Sequence, residues 1–326
     1  MEKLPILYIR HETVDEECRT PLVPTDISIL IKHGFTIYIE SNKDKEYPRF
    51  FSDEEYISRG CIITIKKWYE IDPTDLLIIG LKKLSDYELS KLNSHSHLYF
   101  SHSFKGQFDS NKILRAFHST NSILYDFEYI KDDYGKRLLS FCYYAGVVGC
   151  HLGILYTDTH INKSIRIGII GNGKCSSGVQ DVLNALSLPF TIIGRDKKNI
   201  DLLSFDILFN CILLDEKNTE VWFDQTTIFI KPFLIIDISC DYTKPNHPIK
   251  IYDKPTTCKN PIHRYGTFVK IIAIENLPTI LPDKSSIFFS QKLRDLLINK
   301  INNDTIWKRC KDSFYMAFLQ KNQTNN

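Results

Sequence analysis

The sequence predicts an α/β protein built on two doubly wound parallel sheets, and three observations carry that reading. Short apolar runs alternate with amphipathic or polar segments along most of the chain, the pattern of β-α-β units rather than of hairpins. One run, at 165–170, leads into Gly168-Ile169-Ile170-Gly171-Asn172-Gly173-Lys174-Cys175-Ser176-Ser177-Gly178, and the next apolar run is closed by an acid, Asp196. With 326 residues, 43% hydrophobic and 25% charged, the chain is long enough for two domains with cores of their own.

Taken in order, residues 4–9, 36–40, 75–81, 97–100 and 123–125 read as strands of a first unit, separated by helices such as 26–33 and 111–118. A connecting helix is expected around 143–156. Strands of a second unit follow near 166–170, 190–193, 206–210, 227–230 and 234–238. A last periodic segment, 285–300, comes after Leu277-Pro278-Thr279-Ile280-Leu281-Pro282 and is expected to cross back to the first unit. The predicted organisation is therefore a domain of residues 1–141 completed by 284–326 and a domain of residues 142–283, with a cleft between them. No internal repeat is evident, and the Asn-rich end, 320–326, is expected to fray.

The glycine stretch has a specific physical meaning. A pyrophosphate held against backbone N–H groups at a helix N-terminus needs glycine wherever a Cβ would block the approach, and Gly171 and Gly173 supply that clearance. Asp196 lies 25 residues after Gly171, close to the roughly 20-residue offset at which a carboxylate meets the adenosine ribose hydroxyls. Strand, glycine turn, helix, strand and acid together describe a Rossmann-like dinucleotide site, and the acid favours NAD over NADP. The third glycine of the usual fingerprint is displaced: Ser176 stands in its place and Gly178 comes two positions later, while the neighbouring Arg195 would suit a 2′-phosphate.

Charge and composition narrow the class. Lys and Arg total 41 against 39 acidic residues, and a net charge of +2 gives no reason to expect nucleic acid or an anionic membrane. No apolar run reaches transmembrane length, and Met1-Glu2-Lys3-Leu4-Pro5 lacks the apolar stretch of a signal peptide, so the nine cysteines read as thiols in a reducing, cytoplasmic compartment. No Cys/His spacing suits zinc, and no metal is expected.

Polar residues gather where the strands of the first unit end: Arg10-His11-Glu12, Glu17-Cys18-Arg19-Thr20-Pro21-Leu22, Gly80-Leu81-Lys82-Lys83, the stretch 97–107, and Leu124-Tyr125-Asp126-Phe127-Glu128. Strand C-termini beside a crevice are where α/β proteins bind ligands. These segments, with Ile78-Ile79-Gly80-Leu81-Lys82, Tyr99-Phe100-Ser101-His102-Ser103-Phe104-Lys105-Gly106-Gln107, Asn210-Cys211-Ile212, Asp237-Ile238-Ser239-Cys240-Asp241 and Ile274-Glu275-Asn276-Leu277-Pro278, occur in the order found in the lysine-forming saccharopine dehydrogenases. The chain strongly resembles that family, part of the wider alanine dehydrogenase and transhydrogenase group.

The resemblance implies oxidative cleavage of a secondary amine, saccharopine, with NAD, giving L-lysine and 2-oxoglutarate. It places Lys82 as the base for the secondary ammonium and His102 as the acid–base for imine hydrolysis. Arg19 and Arg137 fall on positions that hold substrate carboxylates, where a planar bidentate donor is suited; Gln107, Glu128, Phe141, Ser239 and Asp241 also fall on substrate positions. Lys136, Gly171, Gly173, Lys174, Asp196, Leu213, Ile238, Ile274, Glu275, Asn276 and Leu277 fall on cofactor positions. Cys175 and Cys211 stand where some members carry a cysteine pair near the cofactor, here expected as thiols that could pair. The expected partners are small amino-acid and oxo-acid substrates, with a monomer as the working expectation.

The chain also departs from the family pattern. Lys83 replaces a glutamate and is expected to lower the pKa of Lys82 by like charge. Lys136 replaces an arginine, Leu213 an aromatic residue and Glu275-Asn276 an Asp-His pair, and the segment between Tyr156 and Arg166 is shorter than the fungal insertion. Two other readings therefore stand beside the saccharopine reaction: an N5-(carboxyethyl)ornithine synthase-like enzyme joining an amino acid to pyruvate, and a catalytically quiet NAD-binding protein. Retention of both Lys82 and His102 argues against the last, because a binding module needs neither.

Overall fold

A computed structural model of the chain describes residues 4–104, 109–194, 200–214, 220–300 and 305–323. It divides into two compact units, residues 1–140 with 282–326 and residues 141–281. Both are α/β.

In the first unit the chain runs β1 (Ile6–Ile9), α1 (Pro24–Lys32), β2 (Ile37–Glu40), α2 (Asp53–Ile57), β3 (Ile62–Thr64), β4 (Leu76–Ile79), α3 (Asp86–Leu89), β5 (Ser96–Tyr99), α4 (Ser110–Ser119) and β6 (Ile123–Asp126). The six strands form one parallel sheet in the order β3-β2-β1-β4-β5-β6. The order reverses between β1 and β4, which makes their C-terminal ends the switch point where such sheets take ligands. Four-residue apolar strands such as Leu76–Ile79, buried along their whole length, are what a sheet covered on both faces requires.

In the second unit α5 (Cys142–Tyr156), β7 (Ile167–Ile170), α6 (Lys174–Ala185), β8 (Thr191–Ile193), β9 (Ile207–Asn210), β10 (Phe233–Asp237), β11 (His263–Tyr265) and β12 (Val269–Ile272) build a sheet of order β11-β12-β10-β9-β7-β8. Only β11 runs antiparallel to its neighbour. The switch lies between β7 and β9. Alternate residues divide the core between the two faces: Ile169, Phe209 and Ile236 pack with α5 and α6, while Ile170, Leu208 and Ile235 pack with Phe223, Ile249 and Tyr252.

The chain then returns to the first unit as α7 (Pro282–Lys300) and α8 (Thr305–Gln323). Polar contacts pin α7 against α1: Ser290 Oγ receives the Val23 N–H and donates to Asp26, whose other oxygen takes Arg294 Nη1 at 2.6 Å. α8 inserts Phe314 beside Tyr99, Phe104 and Phe117.

Two expectations need correction. Residues 227–230 form no strand; Ile228 and Ile230 are 76% and 83% exposed, and only Phe229 packs inward, so the apolar run is a loop edge. The segment from 320 to Gln323 does not fray but continues α8. Among the described residues no helix is long and apolar enough to cross a membrane.

Candidate active site

The switch point of the first sheet gathers the acid–base candidates. Lys82 follows β4 by three residues and is fixed by its backbone: Glu12 accepts the N–H groups of Leu81 and Lys82 at 2.6 and 3.0 Å, and Arg10 Nη2 donates to the Lys82 carbonyl. Gly80 leaves room for the Arg10 guanidinium, which a Cβ here would force to shift. The Lys82 ammonium lies 3.5 Å from Glu17 Oε2. Glu17 is itself forked to Arg19, receiving Nε at 2.7 Å and Nη2 at 2.5 Å in an almost fully buried pair. Burial lowers the Lys82 pKa and the Arg19 charge lowers it further, against the opposing pull of Glu17 and Glu12. Glu17 is held below the usual carboxylate range: burial would raise it, but the ion pair with Arg19 and the nearby Lys82 outweigh that.

The Lys82 pKa is lowered, as the sequence led us to expect, but Lys83 is not among the leading causes. Its ammonium lies 3.9 Å from Asp109, and the depression of the Lys82 pKa comes chiefly from burial and Arg19.

His102 follows β5, the neighbour of β4, and adopts a left-handed backbone with φ 54°. That conformation is uncommon outside glycine and is anchored by Asp126, which accepts the His102 N–H at 3.0 Å and the Ser101 hydroxyl at 2.5 Å. The imidazole Nδ1 lies 3.5 Å from Glu128 Oε2, and the side chain is 41% exposed. Glu128 also pairs through its other oxygen with Arg137. One carboxylate thus orients both a histidine and an arginine at the strand ends.

In the second unit the glycine turn has the geometry that anion binding at a helix end requires. Gly171 has φ 101° and donates its N–H to the Ile193 carbonyl at 3.0 Å. Gly173 caps α6, and the space where its Cβ would stand is open within 4 Å, so the N–H groups at the start of this 12-residue helix can be approached closely. Lys174 is the first residue of that helix. Gly178 serves a different end: together with Gly146 it lets α6 and α5 pack backbone against backbone, since a Cβ at either would strike a carbonyl of the other helix.

The remaining candidates of this unit follow the parallel strands. Ile238, Ser239 and Asp241 follow β10. Here Asp237, fully buried, collects Asn210 Nδ2 at 2.8 Å, the Ser239 hydroxyl at 3.0 Å, the Cys240 N–H at 3.2 Å, His247 Nε2 at 2.9 Å and the Tyr252 hydroxyl at 2.5 Å. Those bonds hold the turn that presents Ser239 and Asp241; Asp241 is paired with Lys244 at 2.7 Å. Cys211 and Leu213 follow β9, with Leu213 81% exposed. Ile274 and Leu277 are buried in the core, so only their backbone is available to a ligand, whereas Glu275 is exposed and Asn276 half-buried between them.

Lys136 sits exposed in a turn of the first unit, its N–H bound to Asp132. Phe141 caps α5 as the first residue of the second unit. Cys175 and Cys211 are free thiols, and a hydrogen bond between them, with burial, pushes the Cys175 thiol well up. Gln107 and Asp196, with Arg195, lie outside the described residues.

Comparison with known proteins sets this geometry in a family. Residues 8–148 match the family model for the alanine dehydrogenase/PNT N-terminal domain. A saccharopine dehydrogenase (NAD+, L-lysine-forming) of Schizosaccharomyces pombe is 30% identical over 370 aligned positions, covering 97% of this chain and 99% of that protein. The chain belongs to the saccharopine dehydrogenase family. A protein of the same description from Candida albicans is 28% identical, covering 98% of this chain and 100% of its own length. The fold is also that of an L-alanine dehydrogenase, with a TM-score of 0.74 at 13% identity over 94% of this chain and 93% of the other.

Within that family frame, three carboxylates stand out that the sequence motifs contained but did not single out. Glu17 tunes Lys82, Glu12 anchors its backbone and Asp126 anchors that of His102. Their only advance signal was a carboxylate within a few residues of a strand end, which many solvated acids share.

Proposed function

We propose that this protein catalyses the reversible oxidative cleavage of saccharopine to L-lysine and 2-oxoglutarate with NAD. The observation that carries the reading is the pairing of chemistries at adjacent strand ends: a lysine with a depressed pKa after β4 and a histidine clamped to a carboxylate after β5.

NAD, when bound, supplies the hydride acceptor, and Gly171, Gly173 and Lys174 at the start of α6 are the residues that would hold its pyrophosphate. Asp196, Ile238 and the backbone of Ile274, Glu275, Asn276 and Leu277 complete the proposed cofactor contacts, with Lys136 and Leu213 at departed positions. Lys82 accepts the proton from the secondary ammonium; its lowered pKa leaves more of it in the free-amine form near neutrality than an ordinary lysine would have. His102, oriented by Glu128, activates water against the imine carbon and carries protons as the carbinolamine collapses. Arg19 and Arg137 meet the substrate carboxylates, each pre-oriented by a buried glutamate, with Gln107, Phe141, Ser239 and Asp241 completing the substrate contacts.

The test is NADH oxidation by the purified protein with L-lysine and 2-oxoglutarate, run beside L-ornithine and pyruvate, with NADPH as a control. Turnover on the first pair with NADH supports the proposal. Turnover confined to the second pair reassigns the substrate while keeping the acid–base residues, and NADH binding without turnover on either overturns the catalytic reading.

A further inference from the structure

Arg19 is 5% exposed and stands in a loop, residues 17–23, that forms neither helix nor strand. Its fork to Glu17 lies within that loop, so it orients the guanidinium relative to the loop. Where the loop itself stands is set by bonds to other segments. Both peptide groups that flank the Arg19 Cα have such a bond: the Cys18 carbonyl accepts the Phe50 N–H at 2.8 Å, and the Thr20 N–H donates to Ser286 Oγ of α7 at 3.0 Å. The first bond is backbone to backbone. The second depends on a side chain, and that side chain is fully buried.

The sequence explains why the loop takes an acceptor from elsewhere. Pro21 has no N–H and holds Thr20 extended, so the loop does not continue as a helical turn, and a buried N–H left without a partner is costly. Ser286 meets that need from 266 residues further along the chain. One turn later on the same helix, Ser290 accepts the Val23 N–H at 2.9 Å and donates to Asp26 at 2.6 Å, and Tyr56 of α2 donates to the Leu22 carbonyl at 2.8 Å. The helix is itself seated against the strand ends that carry the other site residues. The Phe289 ring centroid lies 5.0 Å from that of Phe127, just ahead of Glu128, and 5.9 Å from that of Phe100, just ahead of Ser101 and His102. α7 thus gives the Arg19 loop and the His102 strand end a common reference.

We propose that Ser286 is a positioning residue for the substrate: by fixing the peptide between Arg19 and Thr20, it sets the direction in which the Arg19 fork meets a carboxylate. This rests on the reading of Arg19 as a substrate residue. Bidentate recognition of a planar carboxylate depends on angle as well as distance, so a loop that turns slightly keeps its charge and loses the geometry of the fork. Ser286→Ala removes the acceptor with little change of volume and frees the Thr20 N–H, which lets the loop turn. Ser290 differs, because it supports the start of α1 and the Asp26–Arg294 pair and so serves stability.

The experiment is calorimetric titration of the full chain with saccharopine in the presence of saturating NADH, which cannot accept a hydride, so binding is read without turnover. Arg19→Lys should weaken saccharopine about tenfold or more, and Ser286→Ala about fivefold. Added to Arg19→Lys, Ser286→Ala should cost less than about twofold further, because the fork it positions is already gone. Ser290→Ala should lower the urea midpoint and leave saccharopine affinity within about twofold. In NAD+ reduction with saccharopine, Ser286→Ala should raise KM and leave kcat within about twofold, since Lys82 and His102 keep their anchors. Unchanged NADH affinity would show that the variants are folded. No binding of saccharopine by the wild type, or no effect of Arg19→Lys, would overturn the reading of Arg19 and the proposal with it. An effect of Arg19→Lys with none of Ser286→Ala, equal losses from Ser286→Ala in both backgrounds, or a fall in kcat at unchanged KM would overturn the proposal alone.

Discussion

Lys82 and Glu17 lie 3.5 Å apart, Glu17 buried and the Lys82 side chain partly exposed, and their coupling gives a prediction with a definite sign. Glu17 favours the protonated lysine, while burial and Arg19 oppose it. Glu17→Gln removes the favourable term, so the Lys82 pKa falls further. With Lys82 as the proposed base, the free amine is the working form in the oxidative direction, and kcat/KM is expected to rise with pH through that pKa. The rising limb should therefore move to lower pH, and KM for the amino-acid substrate should rise because Arg19 loses its fork. A pH–rate profile of the variant tests this; an unmoved limb would separate Glu17 from the lysine. At this scale the sequence made the positions of Lys82, His102 and Glu128 legible, each just after a strand of the first sheet, because each sits in an ordered motif. It was not legible where the role depends on a partner distant along the chain, as with Glu12 beside Lys82 or Asp126 beneath His102.

Among the elements, the strands flanking the glycine turn and the switch points were readable because buried parallel strands are short and uniformly apolar. β3, β11 and β12 were missed. β3 is three residues long with its first residue exposed, β11 is His-Arg-Tyr, and β12 carries Lys270, so each breaks the apolar pattern that identifies a strand. The run at 227–230 erred the other way, since apolar composition alone does not show that two isoleucines face solvent. Gly178 was read as a displaced fingerprint glycine, and its packing against α5 gives it a purpose. Gly178→Ala should destabilise the protein by roughly 2–3 kcal/mol through overpacking of two helix backbones, read as a lower urea midpoint at an unchanged m-value. Gly173→Ala meets only open space and should leave stability within about 1 kcal/mol while weakening NADH binding. Equal stability losses in the two variants would contradict these distinct roles.

For the molecule as a whole, the sequence showed two α/β units and the return of the last segment, because the alternation of apolar runs restarts after α5 and the pattern at 285–300 follows a proline-marked break. What it could not show is how each unit ties its site to its core. In the second unit that tie is Asp237, whose carboxylate takes five donors. Burial would raise its pKa, but hydrogen bonds from His247 and Tyr252 outweigh burial and lower it. A carboxyl depressed in the folded state adds stability that is complete above its unfolded value of about 3.9 and is lost as pH falls through the folded value. Asp237→Asn should cost about 2 kcal/mol at pH 7, and the difference from wild type should shrink as the pH falls below about 4; a difference that stays constant down to acid unfolding would contradict it. The same variant should loosen the turn carrying Ser239 and Asp241.

The central claim is that Lys82 and His102 perform the proton transfers of saccharopine cleavage while the second unit holds the cofactor. It is tested most directly by NAD+ reduction with saccharopine in the wild type, Lys82→Met and His102→Gln, with NADH affinity measured alongside and lysine identified as the product. The account predicts lysine release by the wild type and, in each variant, a loss of turnover of about 100-fold or more with NADH affinity nearly unchanged. Full turnover in either variant, or a loss explained by weaker NADH binding, would contradict it.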